Sequence, residues 1–359
     1  MEIIVQNTNY ESIAVVDTFE SMIWTDRYNE YGDFELYFSM DPTLLDYMRE
    51  DYYLRLKESE HVMIIEDLAI DSNVEEGVHV TITGRSLESL LERRIIWGQK
   101  TLVGNLQEGI KTLLEENIIS PSIPERKIDN FIFEESTDPK ITKLEVNAQY
   151  IGDDLYSIIC MLCYDNDIGF KIVLNDENQL VFSLYAGVDR SYKQLENPYV
   201  IFSPNFENII NSNYYSSKAN YRNVTFVVGE GDEYNWVTTS VGTASGIDRR
   251  ELFTDARDTS RDSSDALLSD AEYLLLLQNM GTMNLNEHCG DTAFEGEVEA
   301  TQLFKYGEDF FIGDIVQIAN EYGHEGSVYI SELVISQSEE GVSIYPTFKT
   351  IQDKEEESE

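Results

Sequence analysis

Apolar side chains recur at every second position along much of the first hundred residues. Phe34, Leu36 and Phe38 alternate with Glu35, Tyr37 and Ser39, and Val78, Val80 and Ile82 alternate with His79, Thr81 and Thr83. A period of two marks a strand with one face in a core. The same reasoning predicts strands over Ile13–Asp17, Met22–Arg27, Tyr52–Lys57 and Val62–Ile70. After Gly84 the spacing of Leu87, Leu90 and Leu91 turns helical, with Ser86 as the expected cap. Residues 1–98 are therefore expected to form a mainly antiparallel β block, closed by a short helix.

The pattern changes over 99–197. Asn105 and Glu108 are spaced as a capping box ahead of a helix carrying Leu106, Ile110, Leu113 and Leu114. A stretch containing Pro121, Pro124 and Pro139 separates it from a second helix with Ile151, Leu155, Ile158, Ile159 and Leu162 on one face. The strands Phe170–Leu174 and Leu180–Leu184 follow, joined by Asn175-Asp176-Glu177-Asn178, a hairpin connection. This is a small α+β insertion.

From 198 to 350 β patterning returns. Val224–Val228 and Asn235–Val241 flank a Gly-rich tip, and the polar stretch Arg257–Asp265 leads to a helix. Its expected core stripe is Leu267, Ala271, Leu274 and Leu275, ending at Gly281. Further strands are predicted over Phe294–Ala300, Asp314–Ala319, Ser327–Ile335 and Val342–Phe348. Residues 351–359 read as a disordered acidic tail.

Charge narrows the function classes. Among 359 residues, 25 are basic and 68 acidic, so 25 − 68 gives a net charge of −43. Gripping nucleic-acid phosphates needs clustered Lys and Arg, and the balance also disfavours anionic lipid. The apolar runs are far shorter than the ~20 residues of a spanning helix, and the N-terminus lacks the basic flank of a signal peptide. Cys160, Cys163 and Cys289 cannot build a disulfide framework, which points to production in a reducing compartment.

Catalytic and metal motifs are missing. Cys160 and Cys163 form a C-x-x-C, but mid-helix on an apolar face, where packed core thiols are expected rather than a redox or zinc site. His61, His79, His288 and His324 fall in no HExxH pattern, and neither a nucleophile elbow nor a P-loop is present. No catalytic residue, cofactor or metal is expected. Glu295, Glu297 and Glu299 alternate with Phe294, Gly296, Val298 and Ala300, so three carboxylates share one strand face. Either that face is simply solvated, or it is a channel wall that repels phosphate and lets DNA slide.

Tyr31-Gly32-Asp33-Phe34-Glu35-Leu36 and Gly84-Arg85-Ser86-Leu87-Glu88-Ser89-Leu90-Leu91 resemble the N-terminal region of tail-hub proteins of long-tailed bacteriophages. Asp270-Ala271 to Gly281 with Phe294-Glu295-Gly296-Glu297-Val298 is similar in order and spacing. So are Phe310-Phe311-Ile312-Gly313-Asp314-Ile315-Val316 and Val328-Tyr329-Ile330-Ser331-Glu332-Leu333. The resemblance implies an α+β, β-rich fold of two tail-tube-like antiparallel β-barrel modules with an inserted α+β module. It implies a homotrimeric structural hub at the virion tail tip, assembled in the host cytoplasm and joining a sixfold tube to a threefold tip. Its partners would be a tail-tube or distal tail protein, a tip, fibre or spike protein, and the tape-measure protein. DNA would pass through the lumen without tight binding, and Glu295, Glu297 and Glu299 would face it. Many such hubs carry C-terminal hydrolase or receptor-binding extensions. This chain stops at Glu359, so such activities are expected of a partner. The rival readings are a cell-wall hydrolase and a glycan-binding receptor module.

Overall fold

The alternating segments of the first block become β1 (Ile3–Gln6), β2 (Ser12–Val16), β3 (Ser21–Arg27) and β4 (Asp33–Ser39). After a one-turn helix α1 (Pro42–Leu45) come β5 (Tyr53–Leu56), β6 (Val62–Asn73) and β7 (Gly77–Ser86). A computed structural model describes residues 1–350 apart from 74–76, 210, 233–234, 263–266, 289–290, 298–302, 321, 323–324 and 340. The seven strands pair antiparallel in the order β3-β4-β7-β6-β5-β1-β2. Alternation assigns their faces. Met22, Trp24, Phe34, Leu36, Val80 and Ile82 are buried in one core, while Ile23, Glu35, Thr83 and Asp67 form a cross-strand row on the opposite face.

Two glycines in this block are forced by close approach. A Cβ on Gly84 would lie 1.8 Å from the Ile64 carbonyl oxygen, and one on Gly32 would lie 2.2 Å from that of Thr25. Ser86, two residues after Gly84, does not cap the following helix. Its hydroxyl instead accepts the Gly32 N–H at 2.7 Å, and Leu87–Arg93 winds as a 3₁₀ helix without that cap.

The insertion contains β8 (Gln99–Asn105), α2 (Leu106–Leu114), β9 (Phe131–Glu134), the short α3 (Pro139–Thr142) and β10 (Glu145–Ile151). α4 (Leu155–Asp165), β11 (Gly169–Leu174) and β12 (Leu180–Tyr185) complete it. Asn105 caps α2 by accepting the Glu108 N–H at 3.2 Å, and Asp154 caps α4 by accepting that of Ser157 at 2.8 Å. Leu87, Leu90, Leu91 and Ile96 pack into the core that these elements share.

The rest of the chain forms β13 (Ile201–Phe202), β14 (Asn211–Ser217), β15 (Val224–Asp232), β16 (Asn235–Val241) and β17 (Glu251–Asp255). The long α5 (Asp270–Asn286) precedes β18 (Asp291–Glu297), β19 (Ile315–Ala319), β20 (Glu325–Ser338) and β21 (Gly341–Thr350). Most ladders are antiparallel, but β9 with β12, β13 with β19, and β15 with β17 are parallel. The central connection is non-local. β20 pairs with β3, from Glu332 opposite Arg27 to Gln337 opposite Met22, and so joins both ends of the chain in one sheet of eleven strands.

The α5 stripe differs from the expected one. Leu267 precedes the helix and is exposed, Leu275 faces outward, and the inner face is Tyr273, Leu276, Leu277 and Gly281. A capping box between Ser269 and Glu272 sets this phase. The helix does not stop at Gly281. A Cβ there would sit 2.7 Å from Val227, so glycine lets the helix lie close on β15. Tyr273→Ala should therefore cost on the order of 3–5 kcal/mol in denaturant unfolding, while Leu275→Ala should cost below ~0.5 kcal/mol.

Candidate functional site

Three regions of the chain meet at Tyr28, in the connection from β3 to β4. Its N–H donates to the Ser331 carbonyl at 3.0 Å, and its own carbonyl accepts the Phe170 N–H at 3.2 Å. The phenol donates to the Asp167 carbonyl at 3.1 Å and accepts the Gly187 N–H at 3.1 Å. The first block, the insertion and the β20 region are thus tied to one residue. Burial pushes the phenol pKa far above its ordinary value, so the hydroxyl stays a neutral donor and acceptor.

Glycines make the slot for this ring. A Cβ on Gly169 would come within 2.4 Å of the Tyr28 ring, and one on Gly313 within 2.2 Å. Gly187 lies against Gly313, where a Cβ would meet the Gly313 carbonyl oxygen at 1.8 Å. Tyr185 packs edge-on to Tyr28 at 5.2 Å between centroids, and Tyr329 lies at 5.9 Å. Asp314 then locks the adjoining strap. Its carboxylate accepts the Val188 N–H at 2.7 Å, the Arg190 Nε–H at 2.7 Å and the Phe311 N–H at 3.0 Å. Arg27 adds ion pairs to Asp33 and Glu332, each at 2.8 Å. A cleft of ≈ 310 Å³ opens beside the junction between Tyr28, Lys140, Tyr164, Ile168, Ile315 and Tyr329.

A second tie is ionic and buried. His61 Nδ1 lies 3.1 Å from Glu88 Oε1, which also accepts the Ile172 N–H of β11 at 2.7 Å. Asp26 on β3 accepts from Trp24 Nε1 at 3.0 Å and from Ser59 Oγ at 2.7 Å. Burial alone would lower the imidazole pKa, but Glu88, Asp26 and Glu60 together raise it to about 9. Glu88 is lowered against the opposing pull of burial by His61, Ser86 and the Ile172 amide, whereas burial raises Asp26. An imidazolium between two buried carboxylates therefore joins the first sheet to the insertion.

The residues singled out in the sequence lie elsewhere. Glu295 and Glu297 are on β18, opposite Asn213 and Asn211 of β14, while Glu299 and Cys289 lie outside the described residues. Cys163 is buried and Cys160 half-buried in α4. Burial pushes the Cys160 thiol up to about 12 and Cys163 well above its ordinary value, so neither carries a reactive thiolate. Tyr28 was invisible to pattern reasoning. The motifs around Gly313-Asp314 and Tyr329 to Glu332 gave the available signal, since they supply its neighbours.

The ionic tie has a defined pH signature. His61 has a raised pKa, so its contribution is full below about 6.5 and is lost as pH rises through about 9. Glu88 is depressed, so its contribution holds above its ordinary value of 4.5 and is lost at lower pH. Asp26 is raised and opposes folding once ionised. Thermal unfolding followed by circular dichroism should show Tm falling between about pH 7 and 9. His61→Gln should flatten that fall and cost about 3–5 kcal/mol at pH 7, because two buried carboxylates lose their cation.

Three solved structures share this fold across nearly the whole chain. The prophage tail protein gp18 of Listeria monocytogenes EGD-e aligns with a TM-score of 0.57 at 14% identity, covering 99% of this chain and 96% of that one. The 43 kDa tail protein of prophage MuSo2 from Shewanella oneidensis gives 0.58 at 10% identity, covering 98% of each chain. A tail protein from Neisseria meningitidis MC58 gives 0.57 at 12% identity, covering 97% and 95%. No curated protein sequence matches. At sequence level, the model of one family spans residues 1–348, and its members are siphovirus tail proteins. A structural role in a phage tail accords with both likenesses, and the chain belongs to the family described as Siphovirus ReqiPepy6 Gp37-like protein.

Proposed function

We propose that this tail protein is the hub of the tail tip, a homotrimer that joins the sixfold tube to a threefold tip. The observation that carries the reading is the β3–β20 ladder with the Tyr28 junction beside it, which holds two β regions of one chain in fixed relation. A subunit that fills two of six positions in a ring needs that rigidity, and 2 × 3 modules meet a sixfold tube. Residues 1–98 and 198–350 serve as the two ring modules, with 99–197 as an outer insertion.

The partners of such a hub are a tail-tube or distal tail protein above, a tip, fibre or spike protein below, and the tape-measure protein within. The particle is assembled in the host cytoplasm. A net charge of −43 suits a passage through which DNA slides without tight binding. Glu295, Glu297 and Glu299 line that passage in this reading.

Light scattering and negative-stain microscopy of the purified chain test the assembly. The expected particle is a threefold ring near 3 × 41.2 = 123.6 kDa with a central hole. A chain that remains a 41.2 kDa monomer, alone and with its tail-tube partner, contradicts the hub.

A further inference from the structure

A chain with 68 acidic residues leaves two of its arginines without a carboxylate. Residues 93–107 contain no Asp or Glu, and the stretch between the 3₁₀ helix Leu87–Arg93 and β8 carries Arg94 with the exposed Ile95 and Trp97. Arg94 is held by backbone carbonyls. Its Nε donates to that of Arg126 and its Nη1 to that of Arg93, both at 2.8 Å. Arg126 lies over the Trp97 ring, 4.9 Å from the centroid, and its Nη2 donates to the Ile95 carbonyl at 2.6 Å and to Asn117 Oδ1 at 3.0 Å. Among the described residues nothing takes up Nη2 of Arg94, or Nε and Nη1 of Arg126. Both guanidiniums are thus fixed in place with donors to spare, which lowers the ordering cost of binding an anion.

The electrostatics agree. Arg85 has its pKa raised, first by its bond to Glu66 and further by Glu92. Burial, then the charges of Arg126 and Arg93, lower that of Arg94, and burial lowers that of Arg126. The acids that border the patch are engaged elsewhere. Glu116 pairs with Lys100 at 2.5 Å, Asp51 lies 3.6 Å from Arg93, Asp153 accepts the Ile151 N–H at 2.9 Å, and Asp154 caps α4. Glu125, next to Arg126 in sequence, is the exception, exposed and without a partner among the described residues. A tryptophan 66% exposed beneath an unpaired guanidinium has the composition of a binding hot spot, and the missing component is a carboxylate.

We propose that the face formed by Arg94, Arg126 and Trp97 docks an acidic peptide, and that its occupant is the chain's own segment 353–359. Asp353, Glu355, Glu356, Glu357 and Glu359 make it the densest acidic stretch in the sequence. β21 delivers it nearby. Lys349, next to last in that strand, pairs with Glu30 at 3.3 Å. The following residue, Tyr31, donates its N–H to Tyr156 Oη at 2.9 Å, and the Leu155 N–H donates to the Arg94 carbonyl at 3.0 Å. These contacts bring the end of β21 and Arg94 within the span of the nine residues after Thr350, ~30 Å when extended. Glu30 and Glu92 along the way are already paired, with Lys349 and Arg85. Each carboxylate that reaches a guanidinium forms a charge-assisted hydrogen bond. The inference does not use the hub reading.

Photo-cross-linking in the full-length chain tests it. A photo-reactive amino acid in place of Ser358 leaves every carboxylate of the segment intact. At low salt it should cross-link within one chain to residues 93–97 or 123–127, with a yield that falls as salt screens the pairs. Arg94→Gln with Arg126→Gln should reduce that yield at least ~5-fold. Glu355→Ser with Glu356→Ser and Glu357→Ser should reduce it as much, and keeps the test valid where the arginine variant misfolds. Cross-links only elsewhere in the chain, cross-links only between chains, or a yield that the folded variants leave within ~2-fold overturn the docking. So does the lack of any cross-link at low salt, and in every case the hub reading stands or falls on its own test.

Discussion

The relation between the first sheet, the insertion and the β20 region depends on how Tyr28 is held. The residue sits between two strands of the first sheet, yet its backbone bonds reach Ser331 and Phe170, and its phenol reaches Asp167 and Gly187. Each bond alone contributes about 1 kcal/mol, so the junction is not strong by any single contact. Its strength is geometric. Gly169 and Gly313 leave no slack around the ring, Gly187 packs on Gly313, and Asp314 fixes the strap that closes over it. With the β3–β20 ladder it removes the hinge that separate modules would otherwise have.

The buried charges fit the same account. A hydrophobic substitute for Asp26, His61 and Glu88 would often be no less stable. An ion pair nevertheless demands one distance and one direction, and Glu88 accepts the amide of Ile172 from β11 only when the insertion is in place. Charge at the surface works in the opposite sense. With 68 acidic residues against 25 basic ones, contacts between acidic surfaces of two such chains are repulsive.

Local patterns were legible where one side of an element meets one core. Alternation located β4 to within a residue and β7 to within three, and Asn105 announced the start of α2. The α5 face was missed because Leu274 to Leu277 are four consecutive leucines with no period of their own. Ser269 and Glu272 carry the phase of α5 in their capping box. Ser86 had the right chemistry for a cap, but Gly32, far away in sequence, claims its hydroxyl. The Tyr28 junction and the β3–β20 ladder stayed hidden for the same reason. Their partners lie up to hundreds of residues apart, and nothing in the local pattern around Tyr28 names Ser331 or Gly313.

Native-state hydrogen exchange is the most direct test of that junction. The amides of Tyr28, Phe170 and Gly187 bond across it, and that of Gly313 bonds to Ile330 within it. If the three regions move as one body, these four amides exchange as slowly as those of β4 in the first core. Exchange of the four at loop-like rates, with β4 still protected, would mean that the regions swing independently and would contradict the account.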